Sequence, residues 1–164
     1  MTVIVVMGVS GVGKTTVGQA LARRIGADFA EGDSYHPEAN VEKMSRGQPL
    51  TDDDRWPWLD RLRTEIDGWL KQDRRVVLTC SALKASYRER LSPNAGGVSF
   101  VYLQADQDLI AGRLAERKGH YMPASLLESQ VAALEPPEEA ITIDAKRPLE
   151  EIVDELLRLV NGEH

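Results

Sequence analysis

Residues 8–15 read GVSGVGKT, an instance of G-x-x-x-x-G-K-S/T. The chemistry this spacing suits is polyphosphate binding. Gly8, Gly11 and Gly13 let the backbone curl, so that N–H groups along Val9, Ser10, Val12 and their neighbours point into one concavity, and a helix starting there adds its positive end. Lys14 is expected to reach the β- and γ-phosphates, Thr15 to ligate Mg²⁺ through its hydroxyl, and Thr16 to cap the helix or line the site. A glycine-rich turn with an exposed lysine would explain neither the spacing nor the flanking residues.

What happens to the γ-phosphate must come from elsewhere in the chain. D-x-x-G and N-K-x-D are both absent, which disfavours a GTP switch, and the short chain with no arginine-rich second module disfavours a motor or helicase. A small-molecule kinase is the economical reading. Its counterpart from another class is a nucleotide-binding subunit without catalysis. The stretch FAEGDSYHPEANVEKMSRGQPLTDDDRWPWL, residues 29–59, is dense in polar groups where a plain crossover would be simpler. Asp33 lies just past a strand, where a carboxylate can orient an acceptor hydroxyl in line with the γ-phosphate and take its proton. The structural alternative is a cap on the helix holding Val41 and Met44, a role Ser34 can fill instead.

These residues need a frame that brings them together. Val3 to Met7 is an apolar, β-branched run that suits a buried parallel strand, and Val17, Ala20, Leu21 and Ile25 follow at helical spacing up to Gly26. Further strands are expected at Ala27 to Glu31, Arg75 to Cys80, Val98 to Leu103 and Ala140 to Ile143. Helical stripes run through Leu59, Leu62, Ile66, Trp69 and Leu70, and through Leu149, Ile152, Val153, Leu156 and Val160. Alternating βα units predict a parallel sheet covered by helices on both faces. Pro57, between Trp56 and Trp58, is expected to hold a rigid turn. Cys80, Ser81, Ala82 and Lys84 follow the third strand on the same rim as Asp33, Cys80 as a packed small hydrophobe and the small residues admitting substrate. Lys84 and Arg88 lend positive potential to an acid or are plain surface cations.

Composition excludes more than it names. The 164 residues carry 20 Lys and Arg against 26 Asp and Glu, a net charge of −6, which argues against a nucleic-acid coat. A hydrophobic share of 42% with 28% charged residues predicts one ordered domain over 1–164. One cysteine cannot form an intrachain disulfide, and the apolar N-terminal run stops at Gly8, too short for a membrane span; both suit a cytoplasmic protein.

The segments MGVSGVGKT, GDSYHPEANVEKMSRGQPLTDDDRWPWL, CSALKASYRERL and RKGHYMPASLLESQ resemble the gluconokinase family, from Val5 to about Leu159, with residues 32–59 the most diagnostic. The resemblance implies transfer of the ATP γ-phosphoryl group to the 6-hydroxyl of D-gluconate, giving 6-phospho-D-gluconate and ADP. It also implies the α/β fold of shikimate kinases, a three-layer α/β/α P-loop kinase with a five-stranded parallel sheet in order 2-3-1-4-5, a mobile lid near 117–125, and a homodimer. Carried over by residue, Asp33 is the base. Arg55 is the substrate-side arginine, whose planar fork suits the gluconate carboxylate unless it pairs with Asp52, Asp53 or Asp54. His36, Lys43, Ser81, Lys84, His120 and Gln130, with Ser129, are candidates for the sugar side. Arg117 closes over the phosphates and Arg113 lies against adenine or phosphates, although a helix C-terminus attracts cations by itself. Arg147 falls in the segment 144–148, which matches an adenine loop. Glu31, where the family usually has Asp, puts a water-mediated Mg²⁺ role in question, and Tyr121 replaces a Phe.

Overall fold

The computed structural model describes residues 2–92, 96–106, 108–110, 112, 124–138 and 140–160. Five strands, β1 (Val3–Met7), β2 (Asp28–Glu31), β3 (Val76–Thr79), β4 (Val98–Gln104) and β5 (Ile141–Asp144), form one sheet in the order β2-β3-β1-β4-β5. Every pairing is parallel, and Val5 stands between Leu78 and Phe100. All of β1 is fully buried, on both faces of its pleat, so helices must cover both sides of the sheet.

Among the described residues that cover includes α1 (Lys14–Ile25), α2 (Glu38–Ser45), α3 (Asp52–Lys71), α4 (Ala85–Leu91), α5 (Ala124–Ala133) and α6 (Leu149–Val160). Helix α1 packs on α6 and on β1 and β3, while α3 packs on α4 and β1. Gly26 ends α1 in the left-handed conformation that glycine tolerates, its N–H bonded to the Ala22 carbonyl. The core joins the strands to Leu21, Trp58, Leu62, Ile66 and Leu156. The expected strands are all present, no end shifted by more than one residue.

Two local expectations are corrected. Pro57 makes no turn; it lies inside α3, whose start is set upstream by a capping box between Thr51 and Asp54. The proline gives up the N–H that would reach the carbonyl of exposed Asp53, one lost bond near a helix end. Neither Asp33 nor Ser34 caps α2. They belong to a short 3₁₀ turn, Gly32–Tyr35, because Pro37 holds His36 extended and delays the helix to Glu38. With every strand parallel, the segments after β1, β2 and β3 emerge at the same edge, and that edge carries the site.

Candidate active site

The loop from Gly8 to Gly13 joins β1 to α1 with φ of 146°, 85° and 105° at Gly8, Gly11 and Gly13. A side chain on Gly8 would also meet the Leu103 carbonyl oxygen at 2.9 Å. Val9 and Val12 are buried in the core, so these two residues offer the site backbone only. The first turn of α1 contains no acidic residue, and Gly13 at its N-cap offers no side-chain acceptor, so its N–H groups remain suited to an anion. Thr16 is exposed and does not cap the helix. The Lys14 ammonium folds over the loop, donating to the carbonyls of Gly8 at 2.8 Å and Val9 at 3.1 Å.

Thr15 donates its hydroxyl proton to Glu31 Oε1 at 2.5 Å. Its oxygen thereby keeps lone pairs for a hard cation beside a carboxylate, a donor set that fits Mg²⁺. Among the described residues no cluster of three His, Cys, Asp or Glu could hold a metal alone. Mg²⁺ is usually held by one or two protein groups together with substrate phosphates, and this arrangement agrees with that habit. The longer side chain at position 31 therefore reaches the threonine directly.

A cleft of about 280 Å³ joins the phosphate loop to the polar segment: Ser10, Lys14, Asp33, His36, Arg55, Ser81, Ser129 and Gln130 all line it. Asp33 is well exposed in the 3₁₀ turn. The His36 ring stacks on Trp58 with centroids 4.1 Å apart, and Trp58 Nε1–H donates to the Gly32 carbonyl at 2.8 Å. Burial pushes the His36 imidazole down to about 4, with Asp33 opposing that fall and Arg55 adding to it. At neutral pH the ring is uncharged. Ser81 lies two residues past β3, and its carbonyl accepts from Gly8 N–H at 3.3 Å, tying the two rims together. Cys80 is buried, its thiol pushed up to about 12 chiefly by desolvation, so it is no nucleophile.

Arg55 does not pair with the aspartates beside it. It donates to the Tyr87 hydroxyl at 3.0 Å, and Tyr87 in turn donates to Asp52. Asp52 also accepts from Lys84 at 3.0 Å, and the Tyr87 and Lys84 hydrogen bonds hold its carboxyl below the usual range. Asp54 closes the capping box and pairs with Lys43 at 2.6 Å, which together hold it at about 2, Lys43 contributing most. Asp53 is exposed. Lys43 and Lys84 are thus committed to aspartates and do not line the cleft. Arg88 points elsewhere, donating to the carbonyls of Ala82, Leu83 and Glu135.

Gln130, on α5, makes a two-point clasp on the phosphate loop: its Oε1 accepts from Ser10 N–H at 2.8 Å and its Nε2 donates to Ser10 Oγ at 3.0 Å. Arg147 lies in the β5–α6 turn, where it pairs with Glu155 and approaches Glu151 at 4.0 Å. Arg113, Arg117, His120 and Tyr121, and most of the expected lid, lie outside the described residues. Residue patterns alone did not single out Tyr87, Asn40 or the Thr15–Glu31 contact as parts of the site. Only the Thr51-x-x-Asp54 spacing left a sequence signal, that of a capping box.

A family model described as an AAA domain matches residues 3–137. A gluconokinase of Gluconobacter oxydans (strain 621H) is 49% identical, over 98% of this chain and 92% of its own. A crystal structure of a gluconokinase from Sinorhizobium meliloti 1021 superposes with a TM-score of 0.86 at 47% identity, covering 97% of this chain and 93% of that one. An unliganded sugar kinase from Janibacter sp. HTCC2649 gives a TM-score of 0.92 at 42% identity, over 98% and 95%. Among the described residues no helix is long and apolar enough to cross a membrane.

Proposed function

The chain belongs to the gluconokinase family, and from that premise we propose that it transfers the γ-phosphoryl group of ATP to the 6-hydroxyl of D-gluconate, releasing 6-phospho-D-gluconate and ADP. One observation carries the reading: a single cleft holds a phosphate-loop lysine, an exposed carboxylate and an arginine. Its volume of about 280 Å³ lies near the small end of the ~300–1,000 Å³ common for ligand sites, which suits a small polyol acid.

The phosphates of ATP lie on the loop N–H groups and Lys14, which hold the γ-phosphoryl group at the Ser10 side of the cleft. Mg²⁺, held by Thr15 with Glu31 behind it, would neutralise charge on the β- and γ-phosphate oxygens. Arg55 binds the gluconate carboxylate; Tyr87 occupies one of its N–H groups and leaves others of the planar fork free to face the acid. Anchoring the acid at one end directs the far hydroxyl toward Asp33, which takes its proton as the oxygen attacks phosphorus. His36, Ser81 and Gln130 border the same space. Arg113, Arg117 and Arg147 are assigned to the nucleotide, and His120 to the sugar acid, on the strength of the family resemblance. One domain, a cytoplasmic location, a mobile lid and a homodimer complete the proposal.

The test is ADP release with Mg·ATP over a panel of sugar acids, shikimate and nucleoside monophosphates. Gluconate should be the preferred acceptor, and activity confined to another would overturn the reading. Asp33→Asn should lower kcat by ~10²-fold or more, the range of general-base losses, with ATP affinity nearly unchanged. Wild-type turnover in that variant removes Asp33 from the base role. Sedimentation velocity tests the dimer.

A further inference from the structure

His36 and Asn40 hold a proton arrangement that the reaction can use. Asn40 is buried near the start of α2. Its amide nitrogen Nδ2 lies 2.9 Å from the carbonyl oxygen of Asp54 and 3.2 Å from His36 Nδ1. A carbonyl can only accept, so the atom facing it is the NH₂ group and not the amide oxygen. The second N–H of that group then points at Nδ1, which must offer a lone pair. A neutral ring whose Nδ1 accepts carries its one proton on Nε2. Stacking on Trp58 holds the ring plane, and the same indole is tied to the Gly32 carbonyl, next in the chain to Asp33.

His36 Nε2 lies 3.9 Å from Asp33 Oδ1. That is too long for a direct hydrogen bond, but a hydroxyl oxygen placed ~2.8 Å from each atom closes the triangle with an angle near ~90°. Such a hydroxyl accepts from Nε2–H, donates to the carboxylate and keeps a second lone pair. We propose that Asn40 fixes His36 as the Nε2–H tautomer and that His36 is thereby a directed donor, a positioning residue that places the acceptor hydroxyl against Asp33. This rests on the assignment of Asp33 as the base. A ring protonated on both nitrogens would instead draw the carboxylate into an ion pair and blunt it as a base. The charged groups bearing on the ring are Asp33 from the 3₁₀ turn and Arg55 from α3, while α2 presents the neutral amide of Asn40.

The experiment is long-range ¹H–¹⁵N correlation NMR on the uniformly labelled, full-length, substrate-free protein, in which only three histidines need assignment. At neutral pH His36 should show a protonated Nε2 and a bare Nδ1; a protonated Nδ1 would overturn the proposal. Asn40→Asp replaces the donor by an acceptor, so Nδ1 should gain a proton, and an unchanged tautomer sinks the role of Asn40. For function, the glutamine amide nitrogen can reach the position of Nε2, whereas that of asparagine mimics Nδ1. His36→Gln should therefore retain roughly tenfold more kcat than His36→Asn, in keeping with the cost of misplacing a reacting group. Equal losses in the two variants would overturn the positioning role. The NMR result does not depend on which acceptor is used, so failure of the gluconate reading and failure of this one are separately visible.

Discussion

Gly32 offers a test of how tightly the base is located, because the reason for glycine there is space. Its backbone needs no left-handed conformation. A Cβ at this position would stand 2.1 Å from the Thr79 carbonyl oxygen and 3.3 Å from Cys80 Cα, both backbone atoms of the neighbouring β3 segment. Real Cβ contacts essentially never fall under 3.0 Å, so in Gly32→Ala the junction between β2 and the 3₁₀ turn must move by about 0.9 Å. Asp33 is the next residue and moves with it. A misplacement of ~1 Å can cost on the order of 10²-fold in rate, and that is the expected fall in kcat. The phosphate loop follows β1 and meets the displaced segments only through Thr15–Glu31 and Gly8–Ser81, so the Kd for ATP should change far less than kcat, by about threefold. Gly68→Ala is the control: nothing lies within 4 Å of the added carbon, and the site is in the interior of α3. It should keep full activity and gain up to about 1 kcal/mol in stability. A coupled ADP assay, calorimetric ATP titration and urea unfolding by circular dichroism measure the three quantities. If Gly32→Ala retained kcat within threefold of wild type, the link from this contact to the position of Asp33 would be refuted.

The parts of the site that local patterns disclose are those whose chemistry lies within one turn or loop. GVSGVGKT sits between a β-branched strand and an amphipathic helix, and each of the three segments supports the reading of the other two. Asp33 is legible through a single rule, that parallel sheets bind ligands at the carboxyl ends of their strands. The contacts that tune these residues bridge long stretches of chain. Thr15 meets Glu31 across 16 residues, Arg55 meets Tyr87 across 32, and Ser10 meets Gln130 across 120. Their register comes from the sheet order β2-β3-β1-β4-β5 and the tilt of helices packed on it, which a residue pattern does not encode. The three aspartates before Arg55 show the limit most clearly. Composition presents them as three equivalent negative charges beside the acid site, yet Asp52 turns to Lys84 and Tyr87, Asp54 to Lys43 and the helix start, and Asp53 is exposed. The whole chain is acidic, but the lining of the cleft includes Lys14 and Arg55 with Asp33 as the opposing charge. Net charge therefore describes the surface and says little about the sign of the pocket.

Three further outcomes follow from the same geometry. Arg55→Lys exchanges a planar fork for a single ammonium, so losing one charged hydrogen bond of ~1.5–3 kcal/mol should raise KM for gluconate about 10- to 10²-fold with kcat largely kept; an unchanged KM removes Arg55 from the carboxylate. Glu31→Gln leaves an acceptor for Thr15 but no charge, and should raise the Mg²⁺ concentration needed for tight ATP binding about tenfold, while ATP affinity without Mg²⁺ is unaltered; nucleotide titrations at graded Mg²⁺ measure this, and coincident curves would count against a role for Glu31. The last concerns acid stability. His36 titrates near 4 in the folded protein, held down by burial, against 6.5 for an unhindered imidazole. Between those values the unfolded chain binds a proton that the folded one refuses, so acid favours unfolding. The stability linked to this residue is fully present above about pH 6.5 and is lost as the pH falls from there through about 4. His36→Gln has no such proton to take up. Its urea midpoint should therefore fall less between about pH 7 and pH 5 than that of the wild type, because only the wild-type unfolded state gains a charge at this position. Equal falls in the two proteins would mean that the ring is not held neutral by its burial.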